Sequence, residues 1–425
     1  MINKLVSQSG NLFITGGAGT GKSSLLRELC AKERENGARS ATLGSTGIAA
    51  VNVGGQTAHS FFGFGVCRNI EEMIARDKKS RSKKGKILAA IGKLDLIAID
   101  EISMISADLT DMIAYRLREG GFGGRLVFAG DFYQLPPVRK PSERPSGLFD
   151  AQYAFESEAW REFDPQLIEL TTPRRTSDAE FYELLGQLRV GKMDHSAEAT
   201  LRRYAAQNEV LDSDPTHLFG RNYEADRLNE ARLGRLRSRE YRFEAQINAA
   251  KGVSEKLVEG FLRSINAPPI LTLKVGAPVL FTVNETGLYY NGERGAVIGI
   301  DDEAIEVQKE NGEIVSVARH SFNYEEQGAE NPEITLSVEQ FPLRLAWAIT
   351  IHKSQGMSIL DLAIDLDNLF ESGQFYVAIS RAIDPKRLYL QSSRDPIRLI
   401  RSALSVNPTV DRFYAFEKSK LQSQP

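Results

Sequence analysis

The chain has 425 residues, 42% hydrophobic and 26% charged, with 53 basic and 56 acidic side chains and a formal net charge of −3. That much apolar material offsets chain entropy, so a largely disordered protein is excluded, and the length predicts about three domains. No window approaches the roughly 18 uninterrupted apolar residues of a membrane span, and residues 1–5 have neither the apolar core of a secretion signal nor a transit-peptide pattern. The net charge offers no global attraction to nucleic acid, which leaves that role to a local basic surface. Cys30 and Cys67 are too few for a disulfide framework or a four-ligand zinc site, and the five histidines are scattered along the chain. The expectation is a cytoplasmic protein in a bacterial or phage-like setting, with no membrane partner.

In chain order, residues 11–15 (Asn-Leu-Phe-Ile-Thr) read as a buried strand. Gly16-Gly17-Ala18-Gly19-Thr20-Gly21-Lys22-Ser23 then satisfies the GxxxxGK[ST] pattern, and Ser24 opens a helix with Leu25, Leu26, Leu29 and Cys30 on one side. Glycines let successive amides wrap phosphates, and a helix N-terminus adds positive potential. In this setting Lys22 reaches the outer phosphates and Ser23 binds Mg²⁺. Residues 76–86 carry seven positive charges against one negative and read as a loop.

A second apolar run, 95–99, ends in Asp100-Glu101. Asp100 is suited to hold Mg²⁺, and Glu101 to orient and deprotonate water. A third run, 125–129, leads into Gly130-Asp131-Phe132-Tyr133-Gln134-Leu135-Pro136-Pro137, where the Gln134 amide is suited to sense a γ-phosphate without its own charge. Unbroken apolar runs separated by helical stretches predict a parallel sheet covered on both faces.

Further strands are expected at 166–170, 216–219, 362–366 and 387–390, with an arginine-rich helix over 221–242. Short β-rich runs over 278–318, punctuated by Asn291-Gly292 and Asn311-Gly312, predict hairpins of a small antiparallel barrel. Arg175, preceded by Arg174, and Arg381 lie in this later half. Arginines of this kind stabilise transition-state charge and make domain closure depend on the γ-phosphate. The last 20 residues read as a polar tail.

Several segments together resemble the Pif-one-like DNA helicases, a branch of superfamily one, group B, related to RecD-type motors. They are GGAGTGKS at 16–23, STGIAAVNVGGQTAHSFFG at 45–63, DEISMI at 100–105, GDFYQLPPV at 130–138, YAFESEAW at 153–160, LRLAWAITIHKSQGMS at 343–358 and FESGQFYVAISRA at 370–382. The resemblance implies two tandem RecA-like parallel-sheet domains. The first spans 1–165, with a wedge insertion over about 62–92. The second is formed by 166–268 and 336–405. A Src-homology-three-like barrel is inserted over 269–335, and 406–425 is the tail.

The implied activity is ATP-dependent, Mg²⁺-requiring 5′-to-3′ translocation on single-stranded DNA with unwinding of forked or partial duplexes, in replication, repair, recombination or telomere-type maintenance. A monomer is expected. Lys22, Ser23, Asp100, Glu101, Gln134, Arg175, Gln355, Gly356 and Arg381 match the nucleotide motifs. Thr46, His59, Ser60, Phe61, Thr350, His352 and Ser354 match DNA-contacting motifs; their polar groups suit phosphate oxygens, and Phe61 or Phe62 is a candidate for base stacking, the other packing in the core.

Two departures stand out. The family's adenine-reading glutamine, roughly 18 residues before the phosphate loop, has no counterpart here, so either base selectivity is altered, which predicts weakened discrimination of ATP from GTP, or the N-terminus is truncated. Thr176 replaces the glutamine usual after the arginine matched by Arg175, so Arg174, directly before it, stays open as the alternative finger. A nucleotide-gated single-stranded-DNA switch or loader shares the same ATP motifs and stays open as an alternative. A small-molecule kinase predicts one α/β domain and a lid instead, and nothing supports a fused nuclease.

Overall fold

A computed structural model describes the chain apart from residues 1, 8, 66, 79–80, 138–150, 175–177, 208–213, 251, 266–267, 286, 327–332 and 423–425. It divides into two compact units. The first comprises 1–172, 324–335 and 407–425, and the second 173–323 and 336–406.

The first unit is built on a six-stranded parallel sheet. Its strands run, in spatial order, Gln56–Thr57, Ser40–Gly44, Leu96–Asp100, Arg125–Ala129, Leu12–Gly16 and Gln166–Leu170. The central strands are apolar on both faces because both are covered. Phe13, Ile97, Ile99 and Phe128 turn one way, into a cluster with Phe61, Phe62, Phe64, Met112 and Trp160. Leu12, Ile14, Ala98 and Val127 turn the other way, against Leu25, Leu26, Leu29 and Cys30 of the helix Lys22–Glu35. This is the period-two alternation of a strand, with helices supplying the apolar partner on each side. All six strands share a direction, so the loops that follow Gly16, Asp100 and Ala129 emerge at one edge, where open α/β sheets place ligands.

Three expectations are corrected here. Residues 166–170 do not begin the second domain: they pair in parallel with 12–16, Leu12 opposite Gln166 and Gly16 opposite Leu170, and close the first sheet. The run 76–86 is not simply a loop. The helix Ile70–Asp77 ends within it and the helix Arg81–Ile91 begins within it, because Met73, Ile87 and Ile91 bury apolar side chains that the surrounding charges mask. The tail is also a helix, Pro408–Gln422, whose Val410 and Tyr414 join the first unit's core and whose Phe413 packs against it.

The second unit contains a four-stranded parallel sheet, in the order Ala348–Thr350, Thr216–Phe219, Leu362–Asp365, Leu388–Gln391. The helix expected over 221–242 stops at Arg235, and Glu240–Glu244 pairs antiparallel with Ile270–Lys274. A five-stranded antiparallel sheet follows, in the order Ile314–Ala318, Ala304–Lys309, Arg294–Ile300, Pro278–Phe281, Leu343–Leu345. Asn311-Gly312 makes a tight turn here, Gly312 at φ 86° and its amide on the Lys309 carbonyl. Among the described residues no helix is long and apolar enough to cross a membrane.

Candidate functional site

The phosphate loop follows the strand Leu12–Gly16. Gly16 has φ 144°, and a β-carbon there would lie 2.3 Å from the Leu170 carbonyl, so the loop leaves the sheet at a point that admits only glycine. Gly19 and Gly21 also take positive φ, and Gly21 caps the helix Lys22–Glu35. That helix has no acidic residue in its first turn, so nothing there cancels its N-terminal potential. Lys22 is 8% exposed, and its Nζ donates to the carbonyls of Gly16 (2.9 Å) and Gly17 (3.0 Å). Thr20 Oγ1 donates to the Gly17 carbonyl. Ala18 and Thr20 are buried, Gly17, Gly19, Gly21 and Ser23 half-buried, and Ser24 exposed.

Asp100 ends the strand Leu96–Asp100 and is buried, its Oδ1 accepting from the Glu101 amide at 2.9 Å. Burial pushes its carboxyl up to about 7. The Glu101 charge adds to the rise, while the Ser23 hydroxyl, the Glu101 amide and the Lys22 ammonium oppose it. Ser23 and Asp100 thus pair two hard oxygen donors, one of them a carboxylate whose charge lacks solvent. A cation relieves that cost, and Mg²⁺ takes such donors, so these residues fit it. Among the described residues no group of three or more His, Cys, Asp or Glu side chains forms a metal cage. Mg²⁺ commonly uses one or two protein oxygens and completes its shell with substrate phosphates.

Glu101 sits at φ 52°, ψ 46°, a left-handed conformation that costs a non-glycine residue about 1–3 kcal/mol and clusters at working sites. The sequence gives no sign of this strain. Gly130 approaches so closely that a β-carbon would be 2.9 Å from the Ile102 amide nitrogen. Gln134 is 5% exposed, and its Oε1 lacks a hydrogen-bond partner among the described residues. A buried acceptor of this kind suits a site completed by a ligand. Lys22, Ser23, Asp100, Glu101 and Gln134 therefore all stand at the carboxyl edge of one sheet.

Elsewhere in the first unit, Thr46 Oγ1 accepts from the Ala49 amide and caps the helix Gly47–Asn52. His59 and Ser60 are half-buried, and burial pushes the His59 imidazole down. The Phe61 ring is 2% exposed and meets Phe62 edge-on at 4.8 Å. Both rings, of which one was expected to stack on a base, lie in the core.

In the second unit, Thr350 ends the strand Ala348–Thr350 and is buried. His352 Nε2 lies 3.2 Å from a Glu371 carboxylate oxygen. Ser354 is fully buried with its hydroxyl on the Ile351 carbonyl. Gln355 is buried and Gly356 exposed at φ 80°. Arg381 is 2% exposed. Its Nε donates to the Val377 carbonyl at 2.9 Å, and its Nη1 reaches the Ser354 and Met357 carbonyls at 3.5 Å. The guanidinium thus ties the helix Gln374–Ile379 to the Ser354–Met357 turn, a structural use that sequence reasoning missed. Arg175 lies outside the described residues.

A family model for PIF1-like helicases matches residues 1–199. An ATP-dependent DNA helicase Pif1 of Campylobacter jejuni is 38% identical, covering 90% of this chain and 89% of that protein. Among solved structures, Bacteroides sp Pif1 in complex with ADP-AlF4 superposes with a TM-score of 0.79 at 28% identity, covering 99% of this chain and 96% of that one. Bacteroides Pif1 bound to ssDNA superposes with a TM-score of 0.67 at 27% identity, over the same shares of each chain. The two parallel sheets and these likenesses together fit two RecA-like domains. The chain belongs to the Pif1-like helicase family.

Proposed function

We propose that the protein is an ATP-dependent DNA helicase that translocates 5′ to 3′ on single-stranded DNA and unwinds forked or partial duplexes. The observation that carries this reading is the grouping of Lys22, Ser23, Asp100, Glu101 and Gln134 at one sheet edge, in a chain akin to named helicases over nine-tenths of its length. Lys22 leaves its two loop carbonyls to neutralise the outer phosphates of bound ATP. Ser23 and Asp100 would hold Mg²⁺, which would supply charge neutralisation at the phosphates. Glu101 orients the attacking water and takes its proton, and Gln134 reports the γ-phosphate.

Arg381 and Arg175, with Gln355 and Gly356, act on the same nucleotide during turnover. For Arg381 this requires exchanging carbonyl partners for phosphate oxygens. Thr46, His59, Ser60, Thr350 and His352 hold the DNA backbone, with Phe61 and Ser354 supporting them from within. The antiparallel sheet of the second unit is a Src-homology-three-like barrel, and the segment about 62–92 the wedge.

The test is strand displacement on partial duplexes bearing a 5′ or a 3′ overhang, with and without ATP. Unwinding of the 5′-tailed substrate alone, only with ATP, is expected. DNA-stimulated hydrolysis without displacement of either substrate rejects the motor in favour of a nucleotide-gated switch.

A further inference from the structure

The carboxy-terminal helix Pro408–Gln422 places one side chain against two parts of the nucleotide site at once. Tyr414 is 3% exposed, and its hydroxyl lies 2.8 Å from Thr15 Oγ1. It also accepts from the Phe132 amide at 3.1 Å and lies 3.4 Å from Asp131 Oδ1. Thr15 immediately precedes Gly16, whose carbonyl receives Lys22. Asp131 is fully buried, and its own carbonyl accepts from the Gln134 amide. One proton arrangement satisfies all three contacts: Thr15 and the Phe132 amide donate to the hydroxyl, which donates to Asp131. The ring reinforces the placement. It stacks on Tyr133 at 4.8 Å and 7°, and the Tyr133 hydroxyl returns a hydrogen bond to Asp411 on the same helix.

The neighbouring contacts differ in kind. Phe413 stacks on Phe155 at 4.2 Å and also meets Phe132 at 5.4 Å and Phe13 at 6.1 Å, ring contacts that fasten the helix without any polar atom. The helix thus has a hydrophobic fastening and, separately, a hydroxyl that fixes the phosphate-loop strand relative to the sensor turn.

We propose that Tyr414 is a positioning residue for ATP hydrolysis, its hydroxyl holding the base of the phosphate loop in register with the turn that carries Gln134. The inference rests on the ATPase reading above and deepens it: the helix 408–422 is a working part of the nucleotide site. A small misplacement of a catalytic group costs turnover more than affinity, because only the transition state demands the full alignment.

The test uses the full chain with Tyr414→Phe, which keeps the ring, and with Phe413→Leu, which weakens the fastening alone. Steady-state ATP hydrolysis at saturating single-stranded DNA, binding of a fluorescent ATP analogue and thermal melting are measured for each. Tyr414→Phe is expected to lose at least fivefold in kcat, with KM and analogue affinity within twofold of wild type. Phe413→Leu is expected to melt at least as early and keep kcat within twofold. Thr15→Val combined with Tyr414→Phe is expected to be no slower than the slower single variant, since the Thr15 contact is one of the three that Tyr414→Phe already removes.

The proposal is overturned if Tyr414→Phe keeps kcat within twofold, or if both helix variants lose turnover in step with their melting temperatures. A wild-type chain without DNA-stimulated hydrolysis overturns the ATPase reading and this inference together. An active wild type with an unaffected Tyr414→Phe overturns this inference alone.

Discussion

Replacing Arg116 by methionine tests how the 62–91 segment is held to the first unit. The Arg116 side chain is 1% exposed and forks onto Asp77, Nη1 to Oδ2 at 2.6 Å and Nη2 to Oδ1 at 2.8 Å. Its Nε also donates to the Phe62 carbonyl at 3.2 Å. One guanidinium therefore joins the helix Ala107–Glu119 to the end of the helix Ile70–Asp77 and to the turn after Phe61.

Removing one partner of a buried pair costs about 3–5 kcal/mol, because the other charge remains without solvent. Here Asp77 is 12% exposed and keeps Lys84 at 3.9 Å, which recovers part of that and leaves about 2–4 kcal/mol. At about 2–4 °C per kcal/mol for a unit of this size, the melting transition of the first unit drops by roughly 5–15 °C. Circular dichroism or dye-monitored melting reads the shift. The double variant Arg116→Met, Asp77→Leu should recover more than half of it, since a buried ion pair replaced by apolar groups is often neutral. A drop below about 3 °C, or a double variant that melts as low as the two single effects added together, refutes the reasoning.

Other outcomes follow from the site. Lys22→Ala and Glu101→Gln should both abolish ATP hydrolysis while Glu101→Gln still binds nucleotide; a phosphate-release assay and a binding titration decide, and near-normal hydrolysis in either defeats the assignment. In chelator, the raised folded-state pKa of Asp100 means the native state binds more protons than the unfolded chain from about pH 4 to about 7, so stability falls as pH rises through that window. Asp100→Asn lacks that loss, and its melting temperature relative to wild type should rise between pH 5.5 and pH 8; a constant or falling difference counts against the buried carboxylate. Arg381→Ala leaves the Val377, Ser354 and Met357 carbonyls without that donor, costing about 1–3 kcal/mol. It should still bind single-stranded DNA yet lose DNA-stimulated hydrolysis by roughly 10³-fold, and unimpaired unwinding would exclude it from turnover.

The layout of the candidate nucleotide site was legible in the sequence because it is local. A strand, a glycine-determined loop and a helix N-terminus are contiguous, and strand-end carboxylates follow within one or two residues. Backbone conformation over such short spans is set by the residues themselves, so the placement of Lys22, Ser23, Asp100 and Glu101 at strand ends and a helix start could be read before any contact was known. Tertiary structure decided what depends on partners far along the chain. Residues 166–170 are a strand by composition, but only the register against 12–16 says which sheet they join. Phe61 has the same sequence neighbours whether it stacks on a base or fills the core; only the folded chain shows it buried against the Phe62 ring. The polar composition of 406–425 hid a helix whose apolar stripe is narrow, Val410 and Tyr414 four residues apart, and whose importance lies in a hydroxyl meeting a strand 399 residues earlier. Local propensity carries no information at that range; burial and hydrogen-bond satisfaction do, and both exist only once the chain is folded.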